Sequence, residues 1–205
     1  MASKDVGPEL LGGPVIVRAM SQADAALSAG GDLARWRALE LVGGASNRVE
    51  LGVVAEQNAQ IVGWSRAVRV HLGASVARAW WMAGGQSWET LSRVDRDGDT
   101  LLGLGASLLA GVEVDADRIK ALYGLGRGRL VRRLGLRRWI ACVFLEGYRT
   151  WREVYCLQGY VQQVESGAIV DVVLTAHLLA GARVLDVPAT KGAEAVWIVW
   201  ENPVR

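Results

Sequence analysis

The feature that most constrains this chain is a pair of apolar strands flanking an amphipathic helix. Leu101 to Leu109 is apolar and strand-like, and Gly111-Val112-Glu113-Val114 follows it. Ala116 to Leu134 then places Ile119, Leu122, Tyr123, Gly126, Leu130 and Leu134 on one helical face, with Arg127, Arg129, Arg132 and Arg133 expected largely off it. Arg138 to Leu145 comes next and is apolar on both faces, as a central strand covered on both sides must be. A strand, helix, strand unit of this kind demands a right-handed crossover, so the two strands are expected to be parallel neighbours in an α/β sheet.

The flanks add strands of another kind. Residues 1–14 mix Gly, Pro, Ser and charge without periodicity and read as a loose arm; Val15 to Ala19 reads as a strand, and Ala23 to Ser28 and Asp32 to Val42 as two short helices. Val49 to Glu56 and Ile61 to Leu72 form a long hairpin, since Val62, Trp64, Val68, Val70 and Leu72 alternate with polar or small residues. After Leu145, helices are expected over Trp151 to Ser166 and Val173 to Ala180, and strands over Arg183 to Val187 and Val196 to Trp200. The front half is therefore mostly antiparallel, the centre parallel, and residues 15–205 one domain.

Composition excludes several function classes. A hydrophobic content of 51% supplies a sizeable core, and 23 Lys+Arg against 21 Asp+Glu give no global field for a nucleic acid partner. No apolar run approaches the roughly 20 residues that cross a bilayer, so a cytoplasmic location with no membrane partner is expected. Cys142 and Cys156 have neither disulfide nor zinc spacing and read as buried, reduced thiols. His71 and His177 lie far apart with no ligand-spaced partner, and no metal is expected.

Local sequence carries a family resemblance. Trp88-Glu89-Thr90-Leu91, Asp95 to Leu101, Ala121-Leu122-Tyr123, Leu130 to Arg138, Glu146-Gly147-Tyr148, Tyr160-Val161 and the closing Trp200-Glu201-Asn202-Pro203 occur in the order found in a subgroup of bacterial GCN5-related N-acetyltransferases (GNAT). The resemblance covers roughly the last 120 residues, and the order of the matches carries it. It implies a mixed sheet of about seven strands with a central parallel pair that splays, and helices on both faces. It also implies an acyltransferase that uses acetyl-CoA or another acyl-CoA on an amine of a small molecule or protein.

The family's pyrophosphate loop is a Gln/Arg-x-x-Gly-x-Gly/Ala stretch opening the helix, where glycines admit the anion to unsatisfied backbone donors. Here that stretch reads Val112 to Lys120, without the glycines and with Glu113, Asp115 and Asp117 in it. Carboxylates there repel phosphate, while serving well as helix caps. By the resemblance, Leu109, Gly111 and Val112 would line the acyl-CoA site, and Arg118 and Lys120 could hold phosphate from the side. Tyr148, Tyr155, Tyr160 and Ser107 are the catalytic candidates: Tyr148 just after the fifth strand, Tyr155 and Tyr160 on the next helix, and Ser107 the one hydrogen-bonding side chain of Leu101 to Leu109. His177, on an apolar helix, reads as packing. Trp80-Trp81-Met82 suggests a hydrophobic lid, or a surface for a homodimer or protein partner. The altered loop supports a second reading, in which a GNAT-like domain has lost acetyl-CoA. It would then serve as a non-acetyltransferase enzyme or as a binding, regulatory or assembly module.

Overall fold

A computed structural model of the chain describes residues 16–19, 50–71, 97–108, 126–187 and 194–204. Among the described residues, seven strands form one sheet in the order β1-β2-β3-β4-β5-β7-β6. They are β1 (Ile16–Ala19), β2 (Glu50–Gln57), β3 (Gln60–Val70), β4 (Thr100–Leu108), β5 (Arg138–Phe144), β6 (Arg183–Asp186) and β7 (Ala195–Glu201). The described helices are α1 (Arg127–Arg133), α2 (Tyr148–Trp151), α3 (Leu157–Glu165) and α4 (Val172–Leu179).

Every neighbouring pair is antiparallel except β4 and β5, which run parallel. Their ladder is short. It joins Thr100 to Arg138, Leu101 to Trp139 and Leu102 to Ile140, whereas β4 continues to Leu108 and β5 to Phe144. Each strand keeps its outer partner along that length, β4 with β3 up to Leu108 and β5 with β7 up to Phe144. The parallel pair is thus closed at its N-terminal end and parted at its C-terminal end. A register shift in the β3–β4 ladder between Arg66 and Ala67 leaves Leu104 as an extra residue, and such a bulge bends the strand that carries it.

Strand alternation sorts the core into two faces. Trp139, Ala141, Val143 and Leu145 pack with Val196, Ile198 and Trp200 against Leu130 and Val131 of α1, Tyr160, Val161 and Val164 of α3 and Leu174 of α4. Ile140 points the other way and packs with Val68, Val70, Leu102, Trp197 and Val199. The two-faced burial expected of β5 therefore holds. The short helices expected before β2 lie outside the described residues, as does the expected helix from Ala116 as far as Leu125.

Three local expectations need correction. The helix expected over Trp151 to Ser166 is two helices, because Cys156 adopts an extended backbone and caps α3, its Sγ accepting from the Gly159 N–H at 3.4 Å. Tyr155 accordingly lies in the break between α2 and α3, not on a helix. Cys156 itself is exposed instead of buried, while Cys142 is partly buried and desolvation pushes its thiol up to about 12.

Candidate active site

The closed end of the β4–β5 pair is fastened by side chains as well as by the ladder. Arg138 Nε donates to Thr100 Oγ1 at 3.2 Å, and that hydroxyl donates to Asp99 Oδ1 at 2.8 Å. Just beyond lies Gly103, the first β4 residue past the ladder. A Cβ there would meet the Arg127 guanidinium at 2.9–3.0 Å, so the missing side chain makes room for that cation.

Arg127 is 2% exposed, against the expectation that it would lie off the buried face. Its Nε donates to Ser65 Oγ of β3 at 2.7 Å, and its guanidinium carbon stands 5.5 Å from the centroid of Trp139. A guanidinium over a desolvated indole face gains cation–π attraction, which offsets part of the cost of burying the charge. His177 of α4 packs against the same indole, with ring centroids 5.6 Å apart, and is fully buried. Burial, and then the nearby Arg127 charge, lower its pKa to about 3, so its imidazole is neutral at physiological pH. At the root of the splay, one buried cation and one neutral imidazole thus flank Trp139.

A second polar group sits where β5 ends. The chain turns at Leu145, Tyr148 N–H donates to Leu145 O at 3.1 Å, and α2 begins. Tyr160 of α3 donates its hydroxyl to Asp171 Oδ2 at 2.9 Å, and Asp171 Oδ1 accepts from Leu174 N–H at 3.0 Å as the cap of α4. Tyr160 and Asp171 are both buried. Desolvation, followed by the Asp171 carboxylate and its hydrogen bond, raises the Tyr160 pKa above its ordinary value. The ring of Tyr148, half-buried, lies 5.3 Å from that of Tyr160 by centroids.

Of the catalytic candidates, Tyr148 and Tyr160 come together at the C-terminal end of β5. Tyr155 instead packs against Trp151, centroids 5.9 Å apart. Ser107 lies on β4 opposite Trp64 of β3, well past the ladder with β5. Leu109, Gly111, Val112, Arg118, Lys120, the acidic residues of that stretch and the Trp80-Trp81 cluster lie outside the described residues.

Sequence reasoning missed Arg127, Gly147 and Asp171. Arg127, Leu130, Val131 and Leu134 stand at i, i+3, i+4 and i+7, so Arg127 shares the buried face, a signal hidden within an arginine-rich run. Asp171 directly precedes the apolar run Val172-Val173-Leu174, the usual place for a helix cap.

No family model matches the chain, and no curated protein matches it. Solved structures do. The GphF GNAT-like decarboxylase in complex with isobutyryl-CoA aligns with a TM-score of 0.57 at 21% identity, covering 91% of this chain and 98% of that one. The loading GNATL domain of CurA from Lyngbya majuscula aligns with a TM-score of 0.52 at 15% identity, over 94% and 100% of the two chains. The splayed parallel pair and these alignments agree: this chain has the GNAT fold.

Proposed function

We propose that this chain is an enzyme acting on an acyl thioester seated between the parted ends of β4 and β5. The observation that carries the reading is the β4–β5 ladder, which stops after Leu102 and Ile140 while both strands run on. A strand edge that its neighbour does not use offers a row of backbone donors and acceptors to an extended ligand. That row suits the amide-bearing arm of acyl-CoA, and GphF was solved with isobutyryl-CoA bound. Acyl-CoA, as substrate, supplies a carbonyl activated by its thiol leaving group.

In the transfer reading, an amine nitrogen attacks the thioester carbon, the N–C bond forms and the C–S bond breaks. The departing thiolate takes a proton, and the nitrogen loses one to solvent. Tyr148 is the proton donor in this reading, because it leaves the end of β5 at which the strands have parted. Tyr160 is less suited, since its hydroxyl is engaged by the buried Asp171 carboxylate. Small-molecule or protein amines are the proposed acceptors.

A second reading, decarboxylation, is favoured by Arg127. A buried guanidinium at the root of the splay suits an acyl group that carries a carboxylate, and GphF is named as a decarboxylase. In that reaction the bond from the α-carbon to the carboxyl group breaks, CO2 leaves, and its electron pair passes to the α-carbon and thioester carbonyl. The α-carbon then takes a proton. Arg127 would orient the carboxylate and stabilise the charge that moves toward the thioester.

Thermal shift with acetyl-CoA and malonyl-CoA tests both readings, since a ligand at about 100 times its Kd stabilises the fold by roughly 2.7 kcal/mol. Mass spectrometry after incubation then separates them: acylated amine for transfer, acetyl-CoA formed from malonyl-CoA for decarboxylation. Absence of stabilisation by either thioester overturns both readings and favours a binding or assembly module.

A further inference from the structure

The Tyr160–Asp171 pair closes on the one residue at the end of β5 that has no side chain. A Cβ placed on Gly147 would stand 2.5 Å from the Tyr160 hydroxyl oxygen and 3.0 Å from Asp171 Oδ2. Gly147 has an ordinary helical backbone, with φ −64° and ψ −25°, so the space and not the conformation requires glycine there. The pair therefore fits against the turn from which the next residue, Tyr148, emerges. The same pair ties α3 to the first turn of α4, since Asp171 also caps α4. Three elements converge on this turn, and the ring of Tyr148 rests on that of Tyr160.

We propose that Tyr160 and Asp171 are positioning residues: seated against Gly147, their hydrogen bond sets the turn after β5 and so aims Tyr148 into the mouth of the β4–β5 splay. Tyr160 acts through Tyr148 and does not itself donate the reaction's proton. The inference rests on the proposed thioester site only for what Tyr148 does there. The placement of Tyr148 by the pair stands without it.

The geometry makes an unusual prediction. Gly147→Ala should push its new methyl group against the Tyr160 hydroxyl and displace the turn. Tyr160→Phe removes the nearer of the two crowding oxygens and leaves only Asp171 Oδ2, so Gly147→Ala should be milder in the Tyr160→Phe background than in the parent. Residues that share one contact couple in this way, whereas independent sites add.

The experiment uses the full chain with its four tyrosines replaced by 3-fluorotyrosine. Fluorine spectra would be recorded for the parent, Gly147→Ala, Tyr160→Phe and the double variant, with the Tyr148 resonance assigned by Tyr148→Phe. Gly147→Ala should move the Tyr148 resonance, and the double variant should return it toward its Tyr160→Phe position. Where the parent turns over an acyl-CoA, Gly147→Ala should lower kcat by about tenfold or more and change KM by less than about threefold, as expected when aim is lost and binding is kept. A Tyr148 resonance unmoved by Gly147→Ala overturns the proposal, as does strict additivity in the double variant or a loss confined to KM. If the parent binds no acyl-CoA, the thioester reading fails separately, and the fluorine spectra still decide the positioning claim.

Discussion

The two ends of β5 differ in what their buried polar groups do. At the N-terminal end, Arg138 and Thr100 join β5 to β4, and Arg127 and His177 enclose Trp139 in a fully buried setting. At the C-terminal end, Tyr160 and Asp171 tie α3 to α4 behind the turn, and no ladder reaches β4. Phe144, the last β5 residue, is 68% exposed and Tyr148 half-buried. One end uses polar groups to hold strands together. The other places them behind the exit of a strand whose inner edge is not paired with β4 beyond Ile140.

That contrast can be broken most forcefully at Trp139. Trp139→Ala should cost about 3–5 kcal/mol, because it empties a buried site and strips both Arg127 and His177 of their packing partner. Urea unfolding would measure the loss, and a cost below about 1 kcal/mol would show that the closed end is not the anchored one.

Tyr160→Phe should be gentler, costing about 1.5–3 kcal/mol for a hydrogen bond to a buried carboxylate. The same unfolding measurement applies. A neutral result would mean that the C-terminal pair contributes no rigidity.

His177 gives the closed end a pH signature. Its folded pKa of about 3 lies below its ordinary 6.5, so between these values the unfolded chain carries a proton that the folded chain lacks. The associated stability is fully present above pH 6.5 and is lost as pH falls toward 3, at up to about 1.4 kcal/mol per unit. Unfolding of the parent and His177→Gln at stepped pH should show this slope in the parent alone. A parallel decline in both would place its origin elsewhere.

The smallest expected effect separates the two cysteines. Cys156→Ser should change stability by less than about 1 kcal/mol and in the favourable direction, since a hydroxyl caps a helix better than a thiol. A thiol reagent should label exposed Cys156 well before Cys142, whose pKa is pushed up to about 12. Equal labelling rates would mean that the inner part of β5 is open to solvent.

Much of the fold was legible because periodicity reports burial. The parallel β4 and β5, the described end of the helix before β5, the two-faced β5 and the long β2–β3 hairpin were readable from the spacing of apolar residues, and the structure buries Leu130, Trp139, Ile140 and Val143 as expected. The site was less legible, for two physical reasons. A buried Arg such as Arg127 is rare enough that its charge outweighs its helical position in any reading by residue type. The Tyr160–Asp171 pair joins two helices through a turn that precedes both, and Gly147 shows its purpose only when a methyl group is placed against them. The break at Cys156 was unreadable because the capping atom is a thiol, a weak acceptor seldom found in that role.

The most direct test is an amide chemical-shift titration of the full chain with acetyl-CoA. Saturating ligand should perturb the backbone N–H groups of β4 beyond Leu102 and of β5 beyond Ile140 most strongly, with the paired residues 100–102 and 138–140 little changed. Saturable binding whose largest shifts fall elsewhere would contradict the placement of a thioester in the splay, and the absence of any shift would contradict its binding altogether.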